Sequence, residues 1–285
     1  MHSLGIGEPW LLAAFLGPLI LSASGCSWIT VLMTASACGI LKAGARRFGP
    51  EPARWLQRLR WLWGIQVLAQ GLMWISQWWP DPYAPLILLV MACILAGKDR
   101  KQIAAAQGIL RWPVLLLIVP MLLAAIREMK WENLEPQWQL GMPQLVTVLM
   151  LLPGSGMKRA GALAVLGAAA VQGVLSLPVA GSLEDPVREL ARSLSLMGSV
   201  KRFESLVAVG MTLSLFCFLT RLLTEGSRTK GEVWTGATAA GALYLAQWTI
   251  RPEITAVGTV ILEALIPISA ALKINCRNLT IGVDK

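Results

Sequence analysis

The length, composition and charge of this chain exclude a soluble domain. Of its 285 residues, 55% are hydrophobic and only 14% are charged, and its mean hydropathy is +0.61, so it lacks the charged residues that a soluble surface of this size needs. The net charge of +9 does not indicate a nucleic-acid partner, because no basic stripe carries interleaved aromatic residues and basic loop residues set the topology of a membrane protein.

Ten apolar segments follow one another along the chain, separated by short polar stretches. A helix needs about 20 mostly apolar residues to cross the hydrocarbon of a bilayer, and in lipid every backbone polar group has to be paired within the segment. We therefore predict an all-α polytopic membrane protein, one transmembrane domain over residues 1–285, with about ten spans in the lipid bilayer. The predicted spans are Trp10–Ser24, Ser27–Leu41, Leu59–Trp78, Ala84–Ala96, Trp112–Ile126, Gln144–Leu152, Ala160–Val179, Phe203–Leu222, Val233–Ile250 and Ile254–Leu272.

The basic residues predict the orientation of these spans. When the N-terminus is placed in the cytoplasm and the sides alternate, most of the 25 Lys and Arg residues fall in cytoplasmic segments. This bias is typical of membrane proteins. It predicts that the N- and C-termini are both cytoplasmic.

Helix-disrupting residues interrupt two spans at comparable places. Gly17-Pro18 lies inside span one, while Gly141-Met142-Pro143 opens span six and Pro153-Gly154-Ser155-Gly156 closes it. If ten spans divide into five plus five, these are the first spans of two repeats, at about 8–130 and 138–275. Paired interruptions of this kind indicate a transporter-type site within an inverted repeat, where unwound backbone groups pair with a zwitterionic ligand. The alternative is an ordinary proline kink.

Polar residues at membrane depth complete the predicted site. Gln66 and Gln70 are four residues apart and share one helix face. The hydroxyl residues Ser22, Thr147 and Thr212 have an alternative role, which is to form hydrogen bonds between helices. The predicted ligand-binding residues are Gly17, Pro18, Ser22, Gln66, Gln70, Gly141, Gln144, Thr147 and Thr212. Glu263, midway along the last span, and Glu204, at the start of span eight, are candidate coupling or structural carboxylates, since a carboxylate in a membrane is costly unless it is paired or functional.

Side chains that ligate metals or perform catalysis are scarce. His2 is the only histidine, and the five cysteines form no CxxC pair. No phosphate loop, HExxH or GxSxG motif occurs. We expect no enzyme activity, no catalytic residue, no metal site and no cofactor.

Several segments together resemble the B-type permeases of spore germination (the GerAB-like family). After span four comes Ala96-Gly97-Lys98-Asp99-Arg100-Lys101-Gln102-Ile103-Ala104-Ala105-Ala106, and after span five comes Trp131-Glu132-Asn133-Leu134-Glu135-Pro136. Span eight opens with Val200-Lys201-Arg202-Phe203-Glu204-Ser205-Leu206, and Pro267 lies late in span ten. These segments are similar to family motifs and occur in the family's order across nearly the whole chain.

The resemblance implies the architecture of the amino acid–polyamine–organocation transporter superfamily, a five-plus-five inverted repeat with broken helices one and six. It also implies a membrane subunit that binds a nutrient germinant, usually an amino acid, in the inner spore membrane. Its implied partners are an A-type membrane subunit and a C-type lipoprotein. Two alternatives stay open, a proton-coupled secondary transporter of amino acids and a non-transporting membrane assembly protein.

Overall fold

Ten helices account for the regular structure of the described part of the chain. The computed structural model describes residues 9–23, 26–48, 54–79, 81–127, 143–152, 160–176, 203–227, 229–247 and 250–270. Within these ranges every regular element is helical, so the all-α prediction is confirmed. The helices are α1 (Pro9–Ser22), α2 (Trp28–Phe48), α3 (Arg54–Trp78), α4 (Ala84–Ala96), α5 (Arg100–Arg127), α6 (Pro143–Leu151), α7 (Ala160–Ser176), α8 (Phe203–Gly226), α9 (Lys230–Leu245) and α10, which runs from Pro252–Val260 through a π-helical turn, Ile261–Leu265, to residue 270.

Each predicted apolar segment lies wholly or mainly in one of these helices. Four of the helices contain stretches long and apolar enough to cross a membrane: Trp28–Ala45, Arg100–Val119, Glu204–Glu225 and Pro252–Ala270. Shorter apolar helices occur at Leu12–Ser22 and Ala84–Ala96. These lengths and compositions are compatible with an integral membrane protein.

The local sequence explains where several helices begin and end. The Thr229 side chain accepts a hydrogen bond from the Glu232 backbone N–H, which caps the start of α9. Pro85 and Pro252 lie in the first turns of α4 and α10, where a missing N–H costs nothing because that group has no partner inside the helix. Gly97 follows the end of α4.

Helix α8 forms the centre of the bundle. It packs against α1, α3, α4, α5 and α9, and 83% of its most apolar stretch is buried. Phe218 on α8 meets Phe15 of α1 edge to face, with ring centroids 5.5 Å apart, a favourable geometry for two aromatic rings. The buried polar side chains Thr212, Ser214 and Thr220 of α8 therefore face other helices.

The outer helix faces are apolar, as expected for surfaces in contact with lipid. Leu116 and Ile109 of α5 are 72% and 69% exposed, and Ile40 of α2 is 73% exposed. In water such an array of exposed large side chains would be an aggregation liability. In a bilayer it is the ordinary surface of a spanning helix.

Candidate functional site

The structure does not break α1 at Gly17-Pro18, because the helix runs without interruption from Pro9 to Ser22. At Gly17 a side chain from α8 instead contacts its backbone. The Gly17 N–H donates to Ser214 Oγ at 2.8 Å, and the same hydroxyl donates to the carbonyl of Ala13 at 2.6 Å. Ala13 and Gly17 are four residues apart, the spacing of one helical hydrogen bond. The hydroxyl of Ser214 thus bridges two backbone groups of the neighbouring helix.

Glycine at position 17 makes this bridge possible. A Cβ at Gly17 would lie only 2.7 Å from both Cβ and Oγ of Ser214, far inside van der Waals contact. Pro18, which is buried, follows immediately and has no N–H to offer the carbonyl of Ala14. The Gly17-Pro18 pair therefore lies at a close contact between α1 and α8, where the α1 helix also lacks one backbone hydrogen bond.

Four other predicted ligand-binding residues bond to the protein itself. The Ser22 and Thr147 hydroxyls donate to the carbonyls of their own helices, at Leu19 and Pro143. Two further contacts link helices: Trp79 Nε1 donates to Thr212 Oγ1 at 2.8 Å, and Gln70 Nε2 donates to Thr255 Oγ1 at 3.0 Å and to the Ile250 carbonyl at 3.2 Å.

The remaining predicted residues are Gln66, Gln144 and Gly141. Gln66 is 6% exposed, and neither its Nε2 atom nor the Oε1 atom of Gln144 has a hydrogen-bond partner within the described ranges. Gln66 lines a mostly apolar cavity of about 440 Å³ between α3, α9 and α10, at a distance from the Gly17–Ser214 bridge along the bundle. Gly141 lies outside the described residues, so the clustering of the nine predicted residues stays a prediction.

A second and larger cavity, of about 760 Å³, lies where the ends of several helices meet. Its walls come from α3, α6, α8, α9, α10 and the turn between α4 and α5. The α6, α8, α9 and α4–α5 segments lie at the ends that the charge distribution assigns to the cytoplasmic side, while the α10 lining residues lie midway along their helix. The charged side chains on its wall are Arg60, Lys98, Asp99, Arg100, Glu225, Lys230 and Glu263.

Within this cavity Glu263 forms an ion pair with Arg60 of α3. The Arg60 Nε atom lies 3.1 Å from Glu263 Oε1, and both side chains are about three-quarters buried. Arg60 also donates to the carbonyl of Leu262 through Nε at 3.3 Å and through a terminal nitrogen at 3.1 Å. The Arg60 guanidinium therefore neutralises the Glu263 carboxylate and also bonds a backbone carbonyl of the same π-helical turn. This pairing lowers the free-energy cost of placing the carboxylate inside a membrane.

Sequence reasoning identified Glu263 but missed Arg60 as its partner. Arg60 belongs to a basic stretch whose residues were assigned to topology alone. The signal that could have marked it is its position inside the predicted span Leu59–Trp78, six residues before Gln66, because a charge within an apolar helix needs a partner. Glu204 lies in the first turn of α8 and is half-buried, where a carboxylate is favoured by the helix dipole. It does not line this cavity.

The chemistry of the cavity is that of binding charged solutes. Among the residues that the structure describes, no three or more His, Cys, Asp or Glu side chains are grouped to hold a metal ion. A wall carrying separate cations and carboxylates can pair with both ends of a zwitterion. No protein-family model matches this chain, and no curated protein matches it.

Proposed function

We propose that this chain is a ten-span membrane protein built from two inverted five-helix repeats, α1–α5 and α6–α10, that binds a small nutrient such as an amino acid. The packing of the helices supports the repeat, because contacts of the first half recur when each helix number is shifted by five. With the numbering continued from α10 back to α1, four contacting pairs recur in this way. The pair α1–α5 recurs as α6–α10, α1–α7 as α2–α6, α3–α9 as α4–α8, and α5–α8 as α3–α10. An odd number of spans per repeat reverses the second repeat in the membrane, as in many transporters.

The departure from this symmetry has a structural reason. Helix α1 packs extensively against α8, whereas α3 and α6 form no comparable contact in the described ranges. Helix α6 has nine residues where α1 has 14, so it presents less surface to its neighbours. Both segments carry helix-disrupting residues in the sequence, Gly17-Pro18 in α1 and Pro143 and Pro153 at the ends of α6, which supports their assignment as the first helices of the two repeats.

The cavity lined by Arg60 and Glu263 supports binding of a small zwitterion. Its volume of about 760 Å³ falls in the range of small-molecule sites. Arg60 offers a partner for a carboxylate and Glu263 a partner for an ammonium group, and each is now satisfied by the other. A ligand whose carboxylate binds Arg60 and whose ammonium group binds Glu263 would break the ion pair between them and so alter the contact between α3 and α10.

The motif resemblance makes the role specific. In this proposal the chain is the membrane subunit of a spore nutrient-germinant receptor, working beside A-type and C-type subunits in the inner spore membrane. Nutrient occupancy promotes germination by favouring one of two arrangements of the helix bundle, which requires that the ligand bind one arrangement more tightly than the other.

Germination of spores from a strain without this gene tests the role directly. We expect the response to one nutrient class to be lost, to return with the wild-type gene, and to stay absent with the Glu263→Gln variant. Glu253→Gln is the matched control, because Glu253 lies on the same helix and is exposed away from the cavity. A normal response of the deleted strain to every germinant would contradict the proposed role.

A proton-coupled amino acid transporter is the second candidate, favoured by the partly exposed carboxylate of Glu263 on the cavity wall. This candidate predicts amino acid uptake into proteoliposomes that an uncoupler abolishes. A sensor without transport predicts binding of the same amino acid, measured as a raised melting temperature, without uptake.

A further inference from the structure

Lys42 of α2 is buried against α6, and its ammonium group lies at the C-terminal end of that nine-residue helix. Its side chain is only 8% exposed, and its ammonium group donates to the carbonyl oxygens of Met150 and Leu152. These two carbonyls close α6, which ends at Leu151. A single cation therefore lies on two converging backbone oxygens.

The carbonyl end of α6 needs such a partner for three reasons. Pro153, next in the sequence, has no N–H with which to continue the helix. The N–H of Leu152 is already shared by the carbonyls of Val148 and Leu149, at 3.2 Å each. The aligned peptide dipoles leave partial negative charge at this end, and within a membrane few water molecules are available to satisfy it.

We propose that these carbonyls form a site for a small monovalent cation, which the chain fills with its own ammonium group, Lys42. Backbone carbonyl oxygens at a helix end are the ligands that hold Na⁺ in discontinuous membrane helices and K⁺ in channel filters. The tethered ammonium holds α6 against α2 without any dissolved ion. This proposal stands on the contacts of α2 and α6 alone and does not depend on which nutrient the protein binds.

Replacing Lys42 with alanine tests the site, because it removes the ammonium and leaves room for a soluble substitute. We expect the melting temperature of the purified protein to fall by roughly 5–10 °C, as for the loss of one partner of a buried charged contact. Methylammonium chloride should restore about half of this loss or more by binding the folded state. Choline chloride at the same ionic strength is too bulky to enter and should restore none.

Two further variants separate the site from general effects. Lys101→Ala removes an exposed lysine that lines neither cavity and should neither lower the melting temperature nor create sensitivity to methylammonium. Lys42→Gln keeps a hydrogen-bond donor without the charge, and it remains informative if the alanine variant does not fold; we expect it to melt below the wild type.

Three results would overturn the proposal. In the first, Lys42→Ala gains no more from methylammonium, Na⁺ or K⁺ than from choline, so no cation site is present. In the second, the wild-type protein gains as much from methylammonium as the variant does, so the effect is unrelated to position 42. In the third, Lys42→Gln is as stable as the wild type, so the contact requires a donor and not a cation.

Discussion

Replacing Gly17 with alanine should destabilise the protein, because the added methyl group has no room between α1 and α8. The new Cβ would lie 2.7 Å from Cβ and from Oγ of Ser214 and 3.4 Å from the Met211 carbonyl oxygen. The clash involves Cβ of Ser214, which is fixed to the backbone, so α8 itself has to move. The displaced hydroxyl would also lose its bonds to Gly17 and Ala13.

The magnitude follows from three contributions. Forcing a methyl group into a packed interior costs about 1–3 kcal/mol, and each lost hydrogen bond costs about 0.5–1.5 kcal/mol. Alanine gives back roughly 0.5–1 kcal/mol, since it restricts the backbone of the unfolded chain more than glycine does. The free energy of unfolding should fall by roughly 2–4 kcal/mol.

Unfolding of the purified protein in detergent, followed by helical circular dichroism, measures this loss. Gly64→Ala is the matched control, because Gly64 is also inside a helix and a Cβ there meets nothing within 4 Å. Ser214→Gly removes the clashing atoms, so the double variant should be more stable than the summed single effects by about 1 kcal/mol or more. If the two substitutions are additive, or if Gly17→Ala matches Gly64→Ala, the close approach of α1 and α8 is refuted.

Two further predictions concern the stability of the α3–α10 contact and the crossing of the membrane by α4. Gly258→Ala would place a Cβ 2.2 Å from the Trp63 ring, which is held by a bond from its Nε1 to Thr259 Oγ1. The variant should lose roughly 1–3 kcal/mol of unfolding free energy, whereas Gly44→Ala, with its nearest neighbour at 3.9 Å, should lose almost none; equal losses would contradict this. For topology, Tyr83→Cys and Lys98→Cys place thiols in exposed turns at either end of α4, and an impermeant maleimide should label each from only one, opposite side of the membrane. Labelling of both from the same side would mean that α4 does not cross.

The helices were predictable from sequence because hydropathy and length report on the surroundings of each segment. All ten predicted segments correspond to helices, but several boundaries differ. Helix α5 begins at Arg100, where hydropathy predicted Trp112, since the first turns of this helix are polar and hydropathy detects only the apolar portion. The start of α4 at Ala84 agrees with the prediction, whereas the cap Thr229 and the N-terminal Pro252 would have been better guides to the starts of α9 and α10.

The contacts within the candidate site were not predictable in the same way. Gly17 and Ser214 are 197 positions apart, and Arg60 and the Leu262 carbonyl are 202 apart. A sequence states which residues are costly to bury, such as Glu263, but the partner that offsets the cost depends on how distant helices pack. The Gly17-Pro18 pair predicted an unwound ligand site in α1, whereas the helix is continuous there and Gly17 contacts Ser214 of α8, for which the sequence carried no signal.

The bond between Lys42 and the end of α6 has a consequence for the order in which the chain is assembled. The lysine precedes its acceptors by 108 and 110 positions, so at about 5–20 residues per second the ribosome makes it roughly 5–20 seconds before they exist. During that interval a long, flexible side chain keeps its charge at the membrane surface by extending toward water. We therefore expect α2 to reach its final depth only after α6 has been made. A nascent chain halted before residue 150 should hold α2 displaced toward the side on which Lys42 emerges.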